Sequence, residues 1–232
     1  QDRRHLVTDT FRRGIQHALR RLVLLHQAVF DHDRVLIQLT VGSLPHERVL
    51  HAIRLLGEEV AAVTHSGAPQ GERRLLLWNP PVINPDLGIR ASARSQTNRI
   101  ARHATRGGLK SIVFARSRLM VEVLTKYLKD VFDKDRRRPP RVFAYRGGYL
   151  PSERRETEKR LREGSIDCVV STSALELGVD IGSLDVCILN GYPGSIAATW
   201  QRLGRAGRRN RTSLGVLVAG SEPLDQYIVR NP

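Results

Sequence analysis

Apolar positions along this chain recur with two different periods. Phe11, Ile15, Ala18, Leu19, Leu22, Leu25 and Val29 return at helical spacing and predict an amphipathic helix over 8–30. A strand is predicted at Val35–Leu39. Gly42-Ser-Leu-Pro then opens a helix over 45–56, with Pro45 in its first turn and Gly57 past its end. Strands follow at Val60–Thr64 and Arg74–Trp78. Further along, the pattern predicts a helix over 93–106 closed by Gly107-Gly108, a strand at Ser111–Phe114 and a helix over 118–132. It continues with a strand at Arg141–Tyr145, a highly charged helix from Pro151 to Gly164, a helix over 195–203 and a strand at Leu214–Ala219. Two runs, 166–170 and 184–189, are apolar without alternation, as in parallel strands buried on both faces.

Strands alternating with helices in this way predict an α/β fold, a parallel sheet with helices on both faces. Residues 79–93 carry three prolines and few helix signals. Proline fixes φ and biases its predecessor toward extended backbone, so a linker over 83–92 is expected between one unit at 1–82 and a second at 93–232. The alternative is an ordinary surface loop within one domain.

Composition sharpens the picture. Of 232 residues, 41% are hydrophobic and 26% charged, which is globular and not disordered. Lys and Arg number 38 against 23 Asp and Glu, a net charge of +15. Such an excess creates a field suited to a polyanion, and phosphate-led binding of that kind weakens as salt rises. Arginine richness set by genomic base composition would produce the same count. Cys168 and Cys187 fall inside predicted core strands, as reduced structural cysteines do, and lack the spacing of a zinc site. No run reaches the ~18 apolar residues that span a bilayer, and no signal peptide is evident, so no membrane partner and a cytoplasmic placement are expected. A chain that opens on Gln1 reads as a piece of a longer protein.

The candidate chemistry gathers behind the last strands. Gln201-Arg-Leu-Gly-Arg-Ala-Gly-Arg208 sets Arg205 and Arg208 three residues apart, each directly after a glycine, Gly204 and Gly207. Two guanidiniums one helical turn apart share a face, and the glycines let a ligand approach the backbone. Paired arginines suit the charge of a phosphoryl group in transfer. In open α/β sheets, ligands sit at the carboxyl ends of strands.

Here the sequence resembles a known family. Thr172…Gly178-Val-Asp180 resembles motif V, and Gln201-x-x-Gly-Arg-x-Gly-Arg208 motif VI, of superfamily 2 helicases. The fuller string Ala174-Leu-Glu-Leu-Gly-Val-Asp-Ile-Gly…Trp200-Gln-Arg-Leu-Gly-Arg-Ala-Gly-Arg resembles the YprA/MrfA-like and Hrq-like DNA helicases, relatives of RecQ-type enzymes. Ser111–Phe114 followed by Ala115-Arg-Ser-Arg118 resembles motif IV. Tyr145-Arg-Gly-Gly148 resembles a segment that contacts the tracking strand.

The resemblance implies two RecA-like lobes with ATP and Mg²⁺ between them, 93–232 being the second lobe and 1–82 part of the first. It implies arginine fingers at Arg205 and Arg208, nucleotide sensing by Gln201, and a cleft lined by Gly178, Asp180, Gly204 and Gly207. Arg116, Ser117, Arg146, Gly147 and Thr172 would hold phosphates of single-stranded or tailed duplex DNA, with 3′-to-5′ movement. Each has a plainer reading. Ser117 can cap the helix at 118, Thr172 a strand-end amide, Asp180 a turn, and Gln201 can be a surface residue.

Counting back from Leu19-Arg-Arg-Leu22 puts Asp2-Arg3-Arg4-His5 at the family's DExH position, with Arg3 in place of the catalytic glutamate. No G-x-x-x-x-G-K-[ST] occurs, so this chain alone is not expected to hydrolyse ATP. The competing class is a catalytically inactive, basic nucleic-acid-binding module with a degenerate helicase fold.

Overall fold

The computed structural model describes residues 34–37 and 71–231, apart from 136, 138, 177–180, 183 and 208–211. The helices expected at 8–30 and 45–56, the strand at 60–64 and Asp2–His5 lie outside the described residues.

The described strands are β1 (Arg34–Ile37), β2 (Arg73–Trp78), β3 (Val82–Asn84), β4 (Ile89–Arg90), β5 (Ser111–Phe114), β6 (Val142–Tyr145), β7 (Cys168–Ser171), β8 (Val186–Asn190) and β9 (Ser213–Val218). The helices are α1 (Ala93–Arg106), α2 (Arg118–Phe132), α3 (Pro151–Glu163), α4 (Ile196–Leu203) and α5 (Pro223–Arg230). The main sheet runs β1-β2-β9-β8-β5-β7-β6, parallel throughout except for β1 against β2.

Both faces of this sheet are covered, which explains the unbroken apolar runs. Val113, Val170, Ile188 and Val216 face Ile100 and Ala104 of α1 and Val121, Leu124 and Leu128 of α2. Their neighbours Ile112, Phe114, Val169, Leu189 and Leu217 face the other way, toward Leu161 of α3, Leu175, Leu203 of α4 and Val229 of α5. Fully burying one such side chain contributes about 1.5–3 kcal/mol, so the two layers dominate the stability of this unit.

Local chemistry sets the helix ends. Ser92, Ser117 and Ser195 cap α1, α2 and α4 by accepting from the amides of Ser95, Met120 and Ala198. α3 starts on Pro151, with the Glu153 carboxylate accepting from the Leu150 amide, and ends at Gly164 in the left-handed region at φ 73°. Glu156–Arg160 and Glu158–Arg162 are both spaced for i,i+4 pairing on α3, and the first pair forms at 2.7 Å. Glu158 instead accepts from the buried Tyr145 hydroxyl at 2.6 Å, because it faces β6 across the helix–sheet packing.

Two expectations are corrected. β2 pairs with β9 along its whole length, so residues 73–78 belong to the same sheet as 111–218 and do not end a separate unit. The proline-rich stretch is no extended linker either. β3 and β4 close into a hairpin across Pro85–Gly88, and the Arg90 guanidinium holds the Pro80 carbonyl at 2.8 Å. α5 also went unforeseen, although Pro223 after Glu222 and Asp225 in the first turn form a helix-start signal.

Candidate functional site

β5, β7 and β6 lie side by side, and each is followed by one of the segments singled out from the sequence. Ser117 opens the turn after β5, Thr172 that after β7, and Arg146-Gly147 that after β6. A hydroxyl, a hydroxyl and a glycine turn therefore follow one another along the carboxyl edge of the sheet. Ser117 is exposed and its Oγ accepts from the Met120 amide at 3.1 Å. The Thr172 Oγ1 accepts from the Ala174 amide at 3.4 Å and caps a short 3₁₀ turn, Ser173–Leu175. The plainer capping roles are thus realised, and both hydroxyls remain at the edge. Gly147 is exposed, with nothing within 4 Å of where a Cβ would stand.

The two arginines expected on phosphates are already paired. The Arg146 Nε donates to Glu122 of α2 at 2.7 Å, and the Tyr149 hydroxyl donates to the same oxygen at 2.8 Å. The Arg146 guanidinium also lies 4.5 Å from the centre of the Tyr149 ring. The hydrogen bond from Arg146 holds the Glu122 carboxyl below its ordinary range, and that from Tyr149 adds to it. Burial, then donation to Glu122, pushes the Tyr149 phenol up to about 12.

Arg116 turns the other way along the edge, toward α5. It pairs with Asp225 and, at 2.9 Å, with Glu222. Asp225 is 1% exposed and also accepts from the amides of Gly220 at 2.6 Å and Tyr192 at 3.2 Å. One buried carboxylate therefore gathers the chain after β5, β8 and β9. The Arg116 guanidinium lies flat on Gly191, where a Cβ would come within 2.4 Å of its Nε. Only glycine fits there.

Arg205 lies on the other face of the sheet, behind this edge. α4 ends at Leu203, so Arg205 sits in a turn and not on a helical face with Arg208. It is buried, and its Nε donates to the Glu176 carbonyl at 3.0 Å, with a second bond from Nη2. The Glu176 carboxylate takes the Nε of Arg202 at 2.9 Å, and these two side chains are 13% and 12% exposed. Arg202 also lies 5.4 Å from the centre of the Phe114 ring at the end of β5. Gln201 is exposed. Both glycines have structural uses. The Gly204 amide closes α4 on the Trp200 carbonyl, and Gly207, at φ 89°, donates to the Leu184 carbonyl at 3.0 Å. Gly178, Asp180 and Arg208 lie outside the described residues.

Glu176, Arg202, Asp225 and Glu122 were missed from the sequence, because their partners lie 26, 26, 109 and 24 residues away, beyond any local period. Cys168 and Cys187 are free and fully buried. They stand on β7 and β8 with β5 between them. Two strand spacings are roughly 10 Å, too far for a disulfide.

Comparison with known proteins places this arrangement. Residues 95–210 match the helicase conserved C-terminal domain. The chain is 43% identical over 231 residues to the uncharacterized ATP-dependent helicase YprA of Bacillus subtilis, covering all of this chain and 30% of that protein. It is 32% identical over 234 residues to the ATP-dependent helicase HRQ1 of Saccharomyces cerevisiae, covering all of this chain and 22% of that protein. Among solved structures, the DUF1998 helicase MrfA bound to DNA superposes with a TM-score of 0.72 at 48% identity, over 79% of this chain and 24% of that one. MrfA bound to DNA and AMPPNP superposes at 0.68 and 47% identity, over 78% and 25%. The chain thus spans less than a third of the length of these relatives. On these matches it belongs to the helicase conserved C-terminal domain family, in the superfamily 2 group of YprA-like and Hrq-like helicases.

Proposed function

We propose that this chain is the C-terminal motor portion of an ATP-dependent DNA helicase or translocase, moving 3′ to 5′. The observation that carries the reading is the division of labour across the sheet. Hydroxyls and a glycine turn line one edge at Ser117, Thr172 and Gly147, while the arginine segment 201–207 lies on another face, joined to motif V through Glu176. The first surface suits a nucleic-acid backbone, which is held by hydroxyls, amides and basic groups without reading sequence. Arg146 reaches it with its charge partly balanced by Glu122. Arg116 is held by two carboxylates and serves better as the brace of the strand-end turns than as a phosphate ligand.

The second surface suits nucleotide hydrolysis. When water attacks the γ-phosphorus and ADP leaves, negative charge spreads over the transferring group, and Arg205 and Arg208 would balance it. Arg205 must first exchange the Glu176 carbonyl for phosphate oxygens. Gly178 and Asp180 would line the cleft, and Gln201, being exposed, is free to meet the nucleotide. Mg²⁺ would arrive on ATP; among the described residues there is no cluster of three or more acidic, histidine or cysteine side chains that could hold a metal ion. Among them no helix is long and apolar enough to cross a membrane. Work on chromosomal DNA in the cytoplasm is the setting this reading implies.

The test is DNA-stimulated ATPase of the full-length parent beside its Arg208→Ala variant. The variant is expected to lose about 10³–10⁵ in rate, as other phosphoryl-transfer enzymes do without their finger. A variant within ten-fold of the parent would overturn the finger assignment. A parent without any such activity would leave the inactive DNA-binding module as the reading.

A further inference from the structure

On the arginine face, Glu176 is held by two arginines at once. It ends the 3₁₀ turn that Thr172 begins, its amide donating to the Ser173 carbonyl at 2.9 Å. Leu175, 0% exposed, pins that turn to the core. Five residues therefore run as one stiff piece from the carboxyl edge of β7 to Glu176. At its far end Glu176 is held twice, its carboxylate by Arg202 and its carbonyl by Arg205. Arg202 in turn packs on Phe114, the last residue of β5, and its carbonyl accepts from the Cys187 thiol of β8 at 3.2 Å. The end of β5, the turn after β7 and the arginine segment thus meet on one ion pair.

Packing alone does not require charge here. A salt bridge this dry contributes little net stability against an apolar pair of the same volume, because desolvation offsets the attraction. What it adds is direction, since a carboxylate and a guanidinium fix both distance and angle where two methyl-lined side chains would slide.

We infer that the Glu176–Arg202 ion pair is the positioning element that couples the nucleic-acid edge to the arginine segment. Occupancy of the turn at Thr172 moves or stiffens the piece ending at Glu176. Arg202 carries that change to α4, and the Glu176 carbonyl releases or holds Arg205. The inference rests on the proposed motor function and adds a route by which DNA raises ATP hydrolysis.

The experiment uses the full-length parent with Glu176→Met combined with Arg202→Met, an apolar pair that fills the site, and with Glu176→Gln alone. Thermal unfolding, single-stranded DNA affinity, basal ATPase and DNA-stimulated ATPase are measured for each. The double variant is expected to unfold within a few degrees of the parent. It should bind DNA within about two-fold of the parent, while its DNA-stimulated rate falls roughly ten-fold further than its basal rate, in the range of allosteric couplings. Glu176→Gln should lose stimulation in the same selective way, and it carries the test if the double variant does not fold. Stimulation that survives in both variants overturns the coupling. Basal and stimulated rates falling in equal proportion also overturn it, since that is the mark of a displaced finger. A parent that shows no stimulation overturns the motor reading itself, and the coupling with it.

Discussion

Replacing Asp225 by alanine tests the brace at the carboxyl edge. The carboxylate is 1% exposed and accepts from the Gly220 amide, the Tyr192 amide and the Arg116 guanidinium. Removing it strands two backbone donors in a site closed to water, at about 1–3 kcal/mol each. Arg116 keeps Glu222 and is 38% exposed, so its loss adds under about 1 kcal/mol. The expected cost is about 3–5 kcal/mol. For a chain of this size each kcal/mol lowers Tm by roughly 2–4 °C, so a fall of roughly 6–20 °C should be seen by calorimetry or circular dichroism. Arg116→Ala leaves Asp225 with both amides and should cost about 1–3 kcal/mol. Glu222→Ala removes only an exposed pair and should cost about 1 kcal/mol at most. The order Asp225→Ala, Arg116→Ala, Glu222→Ala is the signature. An Asp225→Ala chain within about 1 kcal/mol of the unmutated one, or a Glu222→Ala chain as weak, would refute the view that one buried carboxylate holds these turns.

Two further outcomes follow from the same physics. The phenols of Tyr145 and Tyr149 are both pushed up to about 12, first by burial and then by donation to Glu158 and Glu122. Stability from these neutral phenols is complete below the unfolded value of about 10 and is lost as pH rises through about 12. The Glu122 carboxyl is lowered, so its contribution is present above the unfolded carboxylate range and fades as pH falls through its folded value. In an ultraviolet titration, Glu122→Gln should lower the Tyr149 midpoint only partway, since burial remains, and leave that of Tyr145 near 12; an unmoved Tyr149 would refute the assignment of Glu122 as its acceptor. Gly207 holds φ at 89°, so Gly207→Ala should cost about 1–2 kcal/mol in thermal or urea unfolding, and a neutral result would show that the turn before Arg208 relaxes freely.

The strands and helices from residue 93 to the last strand, β9, were legible because their signals are local. Unbroken apolar runs marked β7 and β8 as doubly covered, serine marked the start of α2, and Gly164 marked the end of α3. The spacing of Gly204, Arg205 and Gly207 likewise pointed to a chemical segment. What it could not convey was where Arg205 aims, because the Glu176 carbonyl that receives it is set by how the chain returns across the sheet. The same limit hid Asp225, whose three partners come from three different strand ends. The proline-rich stretch misled for a related reason. Its prolines dictate extended backbone, and extended backbone serves a hairpin as well as a linker. Only the pairing of β2 with β9 decides which side of that hairpin a unit begins.

That pairing governs where the chain can be cut. A fragment begun at residue 93, as the prolines invite, would lack β2 and leave Ser213–Val218 with a bare row of amides and carbonyls along one side. This strand is apolar and mostly buried in the intact sheet, and an open strand of that kind recruits further chains and aggregates. A soluble working fragment has to begin ahead of Arg73, so that β9 keeps β2, a partner supplied from before the proline-rich hairpin.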